Sequence, residues 1–132
     1  MKYRKAGYKY LLAENYTRNL HGNYGDVDFE FFTIKDGSIT VKKGYAWDGA
    51  SGPTIDTKNS MRGSLIHDSL YQGIRLGLIS RDKQKIADKE FFKIIIEDGM
   101  CPFRASCWYL MLRILSPFTC NRYLSKDIVI EI

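Results

Sequence analysis

Cysteine, proline and long apolar runs are all scarce in this chain, and each scarcity excludes something. There are three cysteines, Cys101, Cys107 and Cys120, in 132 residues. Their number is odd, and their spacing matches no zinc-binding pattern. At most one disulfide could form, leaving a thiol over, so the expectation is reduced, mostly buried thiols in a reducing compartment. The start, Met1-Lys2-Tyr3-Arg4, is basic but no apolar run follows it, so no signal peptide is read there. The most apolar segment, Cys107 to Leu115, is too short to span a bilayer and carries Arg113. A cytoplasmic protein is therefore expected. Internal repeats, low-complexity tracts and linkers are lacking too, which leaves a single domain over residues 1–132.

Acidic residues are the minority charge: Asp and Glu total 15 against 20 Lys and Arg, a net charge of +5. That balance favours anionic partners, whether nucleic acid, a small anionic ligand or a phospholipid surface. Nucleic acid is disfavoured, because no block of basic residues interleaves with aromatics to form a stacking platform. Lys2, Arg4, Lys5 and Lys9 read as a solvated face. Hydrophobic residues make up 45% of the chain and aromatics 14%, enough to build one core.

The order of elements reads as strands, a loop, three helices and a strand. Val27, Phe29 and Phe31 alternate with Asp28 and Glu30, placing the apolar set on one face of a strand. Asp36-Gly37 then separates that run from Ser38-Ile39-Thr40-Val41, a strong hairpin signal. An earlier strand is expected around Tyr8 to Leu12, and a loop over Asn19 to Gly25. The stretch Gly44 to Asp56, with Gly44, Gly49, Gly52 and Pro53, reads as a loop of close backbone approach. Asp56 or Thr57 can cap a first helix running to about Leu76, with Gly77 as its stop. Ser80 is expected to cap a second helix, from about Arg81 to Glu97. A third begins at Pro102 and ends before Pro117. Asp127 to Ile132 reads as a final strand. The fold class is α+β: an N-terminal antiparallel sheet packed with a three-helix layer.

On a wheel of about 100° per residue, Ala87, Phe91, Phe92, Ile94, Ile95 and Ile96 share a broad arc of the second helix. Lys89, Glu90, Lys93 and Glu97 lie opposite. Asp88 falls near the middle of the apolar arc, where a carboxylate needs a donor from elsewhere in the fold. On the first helix, His67 shares a face with Leu70, Tyr71 and Ile74. Two consecutive helices joined at Gly77 should pack antiparallel and bring His67 within reach of Asp88. A histidine held through one ring nitrogen leaves the other able to take a proton from water. Tyr71, one turn on, can add its hydroxyl to Asp88. Asp68 is rotated to the edge of the face, where it can meet the glycine-rich loop. Backbone carbonyls there, with the side chains of Asp48 and Ser51, are ligands that a hard cation such as calcium prefers. Trp47 and Tyr45 are expected to act mainly as core or loop anchors. The same histidine–aspartate pair can equally be a structural bond between helices.

Trp47-Asp48-Gly49-Ala50-Ser51, His67-Asp68-Ser69-Leu70-Tyr71, Arg81 and Ala87-Asp88 with Phe91 together resemble a family of small bacteriophage and prophage proteins that has no assigned activity. The resemblance covers roughly Ile39 to Arg113 and implies a phage origin, hence action in the cytoplasm of a host cell. The same elements are similar to secreted phospholipases of the A-two type, which carry a glycine-rich calcium loop, a His-Asp-x-Cys-Tyr helix and a second helix whose Asp orients the His. By position this second resemblance implies His67 as the base, Asp68 as the calcium carboxylate and Tyr71 with Asp88 as the supporting network. Gly44, Gly49 and Gly52 lie in the stretch matching the calcium loop. The chain departs from those enzymes at Gly63, Ser64 and Leu70, where they have cysteines, and it begins with strands. The functional expectation is a phage-encoded hydrolase with a His67–Asp88 dyad, calcium-assisted and directed at lipid esters. The alternatives are a non-enzymatic phage protein binding a small anionic ligand or host factor, and a structural or assembly component.

Overall fold

The computed structural model describes residues 1–6, 9–47 and 58–122, with backbone alone for residues 6, 9, 58 and 116–122. Among the described residues, seven strands precede three helices: β1 (Tyr3–Ala6), β2 (Lys9–Leu12), β3 (Tyr16–Asn19), β4 (Val27–Asp28), β5 (Phe32–Lys35), β6 (Ser38–Val41), β7 (Ala46–Trp47), α1 (Lys58–Arg75), α2 (Gln84–Glu97) and α3 (Pro102–Arg122). The expected α+β class holds, with two antiparallel sheets where one was expected. One sheet runs β1-β2-β7 and the other β3-β6-β5-β4. The strand expected over 127–132 and the helix caps expected at Asp56 or Thr57 lie outside the described residues.

The Asp36-Gly37 pair turns the chain because both positions take positive φ, 52° and 78°. That combination matches the right-handed twist of the flanking strands in a two-residue hairpin. Lys35 therefore pairs with Ser38 and Ile34 with Ile39. The alternating run from Val27 to Phe31 does not form one strand. β4 stops at Asp28, and the Phe29 amide donates to the Phe32 carbonyl at 3.1 Å, closing a second hairpin in which Val27 pairs with Ile34. Two adjacent phenylalanines allow either register. Burial of Phe32 in line with Ile34, Ile39 and Val41 decides it, and Phe31 is left exposed.

That apolar sheet face receives α1. Gly73 lies so close to it that a Cβ there would stand 3.2 Å from Phe32 Cζ. Tyr45 and Trp47 join the other sheet to the same helix: the Tyr45 hydroxyl donates to Gln72 Oε1 at 3.0 Å, and Trp47 Nε1 to Ser64 Oγ at 3.0 Å. Trp47 also packs against Tyr3 and Tyr10, each with ring centroids 5.8 Å away. α1 closes on Gly77, whose φ of 77° lets the Leu78 amide reach back to the Gly73 carbonyl at 2.8 Å.

Ser80 makes no side-chain cap, and a 3-10 turn at Arg81–Lys83 intervenes before α2. α2 ends where Gly99, at φ 94°, lets the Met100 amide bond the Ile95 carbonyl. α3 continues past Pro117 rather than ending before it. A proline deletes one backbone donor at a cost, but the remaining bonds of the ladder still form.

Glu90 also departs from the wheel. Expected on the polar side of α2, it is only 1% exposed. The loop after β3 crosses that side and supplies the carboxylate with donors: the His21 amide at 2.9 Å, the Gly22 amide at 3.3 Å and the Tyr24 hydroxyl at 3.2 Å. The His21 ring adds Nδ1. Burial raises the Tyr24 phenol well above its usual range, with Glu90 reinforcing the shift. Among the described residues, no helix is long and apolar enough to cross a membrane.

Candidate functional site

Close approach of α1 to α2 builds the site. At Gly63 a Cβ would stand 2.8 Å from Ile95 Cγ2 and 3.1 Å from Phe91 Cδ1, so only glycine lets the two helices come this near. One turn further along α1, His67 faces α2 and sits 7% exposed. Its Nε2 lies 2.7 Å from Asp88 Oδ1. The Tyr71 hydroxyl, from the next turn of α1, donates to the same oxygen at 2.6 Å. Asp88 has no exposed surface. The imidazole is held flat by its neighbours, with the Tyr71 ring centroid 4.1 Å away and the Phe91 ring edge-on at 5.6 Å. The three residues read from helical spacing as one cluster are thus brought together.

The spacing argument left out Arg113. From α3 its Nη1 donates to Asp88 Oδ2 at 2.7 Å, so all three helices meet at one carboxylate. The sequence held a signal for it: a lone arginine within the apolar run Cys107 to Leu115 needs a partner if that run packs inward.

Electrostatics follow from this geometry. Burial opposes ionisation of Asp88, but the bonds from His67, Tyr71 and Arg113 outweigh it and hold the carboxyl below its usual value. Burial likewise opposes charge on His67, yet Asp68 and Asp88 together raise the imidazole above its usual value. Facing an ionised Asp88, Nε2 carries the proton and donates. Nδ1 is then the atom that gains or loses the second proton. Nδ1 faces Asp68, whose Oδ1 lies 3.9 Å away, the spacing of an ion pair rather than of a direct hydrogen bond. Asp68 is half-buried at the edge of the helix, as its rotation predicts.

The remaining expected site residues divide into two groups. Gly44 is exposed at φ 91°, and its amide bonds the Leu12 carbonyl at 2.8 Å. Tyr45 and Trp47 are buried anchors on α1. Arg81 is exposed in the turn before α2. Asp48, Gly49, Ser51 and Gly52 lie outside the described residues. Among the described residues, no group of three or more His, Cys, Asp or Glu side chains is placed to hold a metal ion. Asp68 does offer an oxygen donor of the kind a hard cation takes.

Cys101 and Cys107 are free thiols, and both are exposed rather than buried. The Cys120 side chain is outside the described residues. No family model, no curated protein and no solved structure matches the chain.

Proposed function

We propose that the chain is a phage-encoded hydrolase of lipid esters in which His67 is the general base and Asp88 the group that orients it. One observation carries the reading: Asp88 is fixed by Tyr71 and Arg113 while it holds His67 Nε2, which leaves Nδ1 facing the Asp68 carboxylate at 3.9 Å. In the neutral imidazole, Nδ1 takes a proton from water as that water attacks the ester carbon. Asp88 stabilises the imidazolium that results, and Nδ1 returns the proton to the departing alkoxide. Asp68 and Asp48, with oxygens of the Gly44–Gly52 loop, would hold a calcium ion. The ion would polarise the ester carbonyl. The phage origin and the lipid substrate rest on the resemblances of the sequence.

Hydrolysis of a panel of phospholipids and simpler esters, with calcium and with chelator, tests the proposal. His67→Gln is expected to abolish turnover while the protein stays folded. Wild-type turnover should rise with pH through a value above the ordinary histidine range, because the raised imidazole must first lose its proton. Full activity of His67→Gln would sink the enzyme reading.

The complete burial of Asp88 between three helices favours a second reading, in which the pair only locks the helices together. That reading predicts a wild type inert across the panel, with the variants affected in stability alone.

A further inference from the structure

α2 carries two buried carboxylates, and each holds a histidine. Asp88 holds His67 inside the molecule. Two residues on, Glu90 leaves the opposite side of the helix and holds His21, in the loop after β3. The chain has two histidines, so both are tied to acids of one helix. The pairs differ in what they leave open. His67 is buried, whereas the His21 side chain is 43% exposed. They also engage different ring atoms. Asp88 takes Nε2 of His67, while Glu90 Oε2 lies 2.5 Å from Nδ1 of His21. Glu90 has no exposed side-chain surface, so the open part of the His21 ring is its far edge, which ends in Nε2. That nitrogen has no hydrogen-bond partner among the described residues.

Holding the loop does not require the ring. Glu90 already accepts from the His21 and Gly22 amides and the Tyr24 hydroxyl. What the imidazole contact adds is a fixed tautomer. Nδ1 keeps its proton and donates it to Glu90, so Nε2 carries the lone pair and is the nucleophilic atom. An imidazole becomes cationic as its lone pair forms a new bond. Glu90 stands where that charge appears, and its other donors keep it from turning away. The approach suits an anionic electrophile. Glu97, whose charge reaches His21, is paired with Arg18 at 3.1 Å, and the net charge of +5 draws anions. Persistence favours a phosphoryl over an acyl group. Water removes an acyl group from imidazole quickly, whereas a phosphoryl group on Nε2 survives in neutral and alkaline solution.

We propose that His21 is a phosphoryl-accepting residue, with Nε2 as the nucleophile and Glu90 as the residue that positions it. The donor class is a phosphoramidate, in which the phosphoryl group is already bound to nitrogen, so the bond broken and the bond formed are of one kind. The Nε2 lone pair forms a bond to phosphorus as the P–N bond of the donor breaks. The donor nitrogen, protonated before the step, leaves as a neutral amine. The ring keeps its Nδ1 proton, and the positive charge it gains faces Glu90.

Potassium phosphoramidate is the probe. The protein is treated with it and digested at alkaline pH, and the label is located by mass spectrometry. Phosphorus NMR of the intact protein tells Nε2 from Nδ1. One phosphoryl group is expected, on Nε2 of His21. It should form at least about tenfold faster than on N-acetylhistidine, the scale of one hydrogen bond that gains a charged donor. His21→Gln, at an exposed position, should stay folded and unlabelled. Glu90→Gln should lose the acceleration, since a neutral amide does not offset the charge on the ring. That change also disturbs the loop, so wild type denatured in urea is measured beside it. There His21 should react no faster than N-acetylhistidine and at both ring nitrogens. Labelling of the folded protein no faster than N-acetylhistidine or the denatured chain overturns the proposal. So do a label on Nδ1, a label on His67 alone, and a label that survives His21→Gln. Undiminished acceleration in a folded Glu90→Gln overturns the positioning role of Glu90. Ester hydrolysis plays no part in these readouts, so the outcome is independent of the His67 reading.

Discussion

Asp88 concentrates more of the molecule's polar chemistry than any other single residue of the site. It is fully buried and accepts from three side chains on two other helices. Removing it leaves an imidazole, a phenol and a guanidinium without their acceptor. Asp88→Ala is therefore expected to cost about 3–5 kcal/mol of stability. Tyr71→Phe, which deletes one of the three bonds and keeps the ring, should cost about 1 kcal/mol. Urea denaturation of both variants checks the ranking. The pH dependence follows from the directions of the two shifts. His67 is raised, so its contribution is complete below the ordinary histidine value and is lost as pH climbs through the folded one. Asp88 is lowered, so its contribution is complete above the ordinary aspartate value and is lost as pH falls through the folded one. Both contributions are complete between about pH 4 and 6.5. The stability difference between wild type and His67→Gln should be largest in that window and shrink on the alkaline side. A difference that kept growing above neutrality would contradict the ion pair.

Among the elements, the contact between α1 and α2 sets the distance across which His67 reaches Asp88. Gly63 is its closest point, facing Ile95 and Phe91, both buried. Gly63→Val is expected to force the helices apart and to destabilise by about 1–3 kcal/mol. The same change should lengthen the His67–Asp88 bond and alter the ring resonances of His67 in NMR spectra. On the other side of α2, Glu90 fixes the loop after β3 by accepting from two backbone amides and the Tyr24 hydroxyl. Glu90→Ala should cost on the order of 3 kcal/mol, the scale of a few bonds to a charged group. It should also speed amide exchange at His21 and Gly22 well beyond the global change. If those two amides kept their protection relative to the rest, Glu90 would not be what holds the loop.

At the scale of the whole molecule, α2 couples two apolar clusters. Ala87 and Ile94 belong to the larger one with the sheets and α1, while Phe91 and Ile95 belong to the smaller one with α3. The chain has two tryptophans, and each reports on one cluster: Trp47 on the larger and Trp108 on the smaller. With Asp88 of α2 also bonded from both α1 and α3, unfolding is expected to be a single transition. Trp47→Phe and Trp108→Phe, each leaving one fluorophore, should show fluorescence transitions that coincide with that variant's own circular dichroism. A fluorescence midpoint for Trp108 below that of the far-ultraviolet signal would mean that α3 detaches first.

The parts legible in the sequence are those set by a residue's position on its own element. Asp36-Gly37 dictated a hairpin because its two positive φ angles are a local cost that few residue pairs accept. The inward facing of His67, Tyr71 and Asp88 followed from helical period alone, and the stop at Gly77 from the positive φ that glycine accepts. The tertiary structure decided whatever depends on a neighbour from elsewhere in the chain. Phe32 rather than Phe31 turned inward because the face beside it, Ile39 and Val41, chose the register. Glu90 sits on the polar side of its helix by period, yet a loop far from it in sequence buries it and supplies its donors. Arg113 reaches Asp88 only because α3 packs against α2 at that turn. A helix wheel records the angle at which a side chain leaves its own axis, while burial and pairing depend on what stands at the end of that direction, and long-range packing alone determines that.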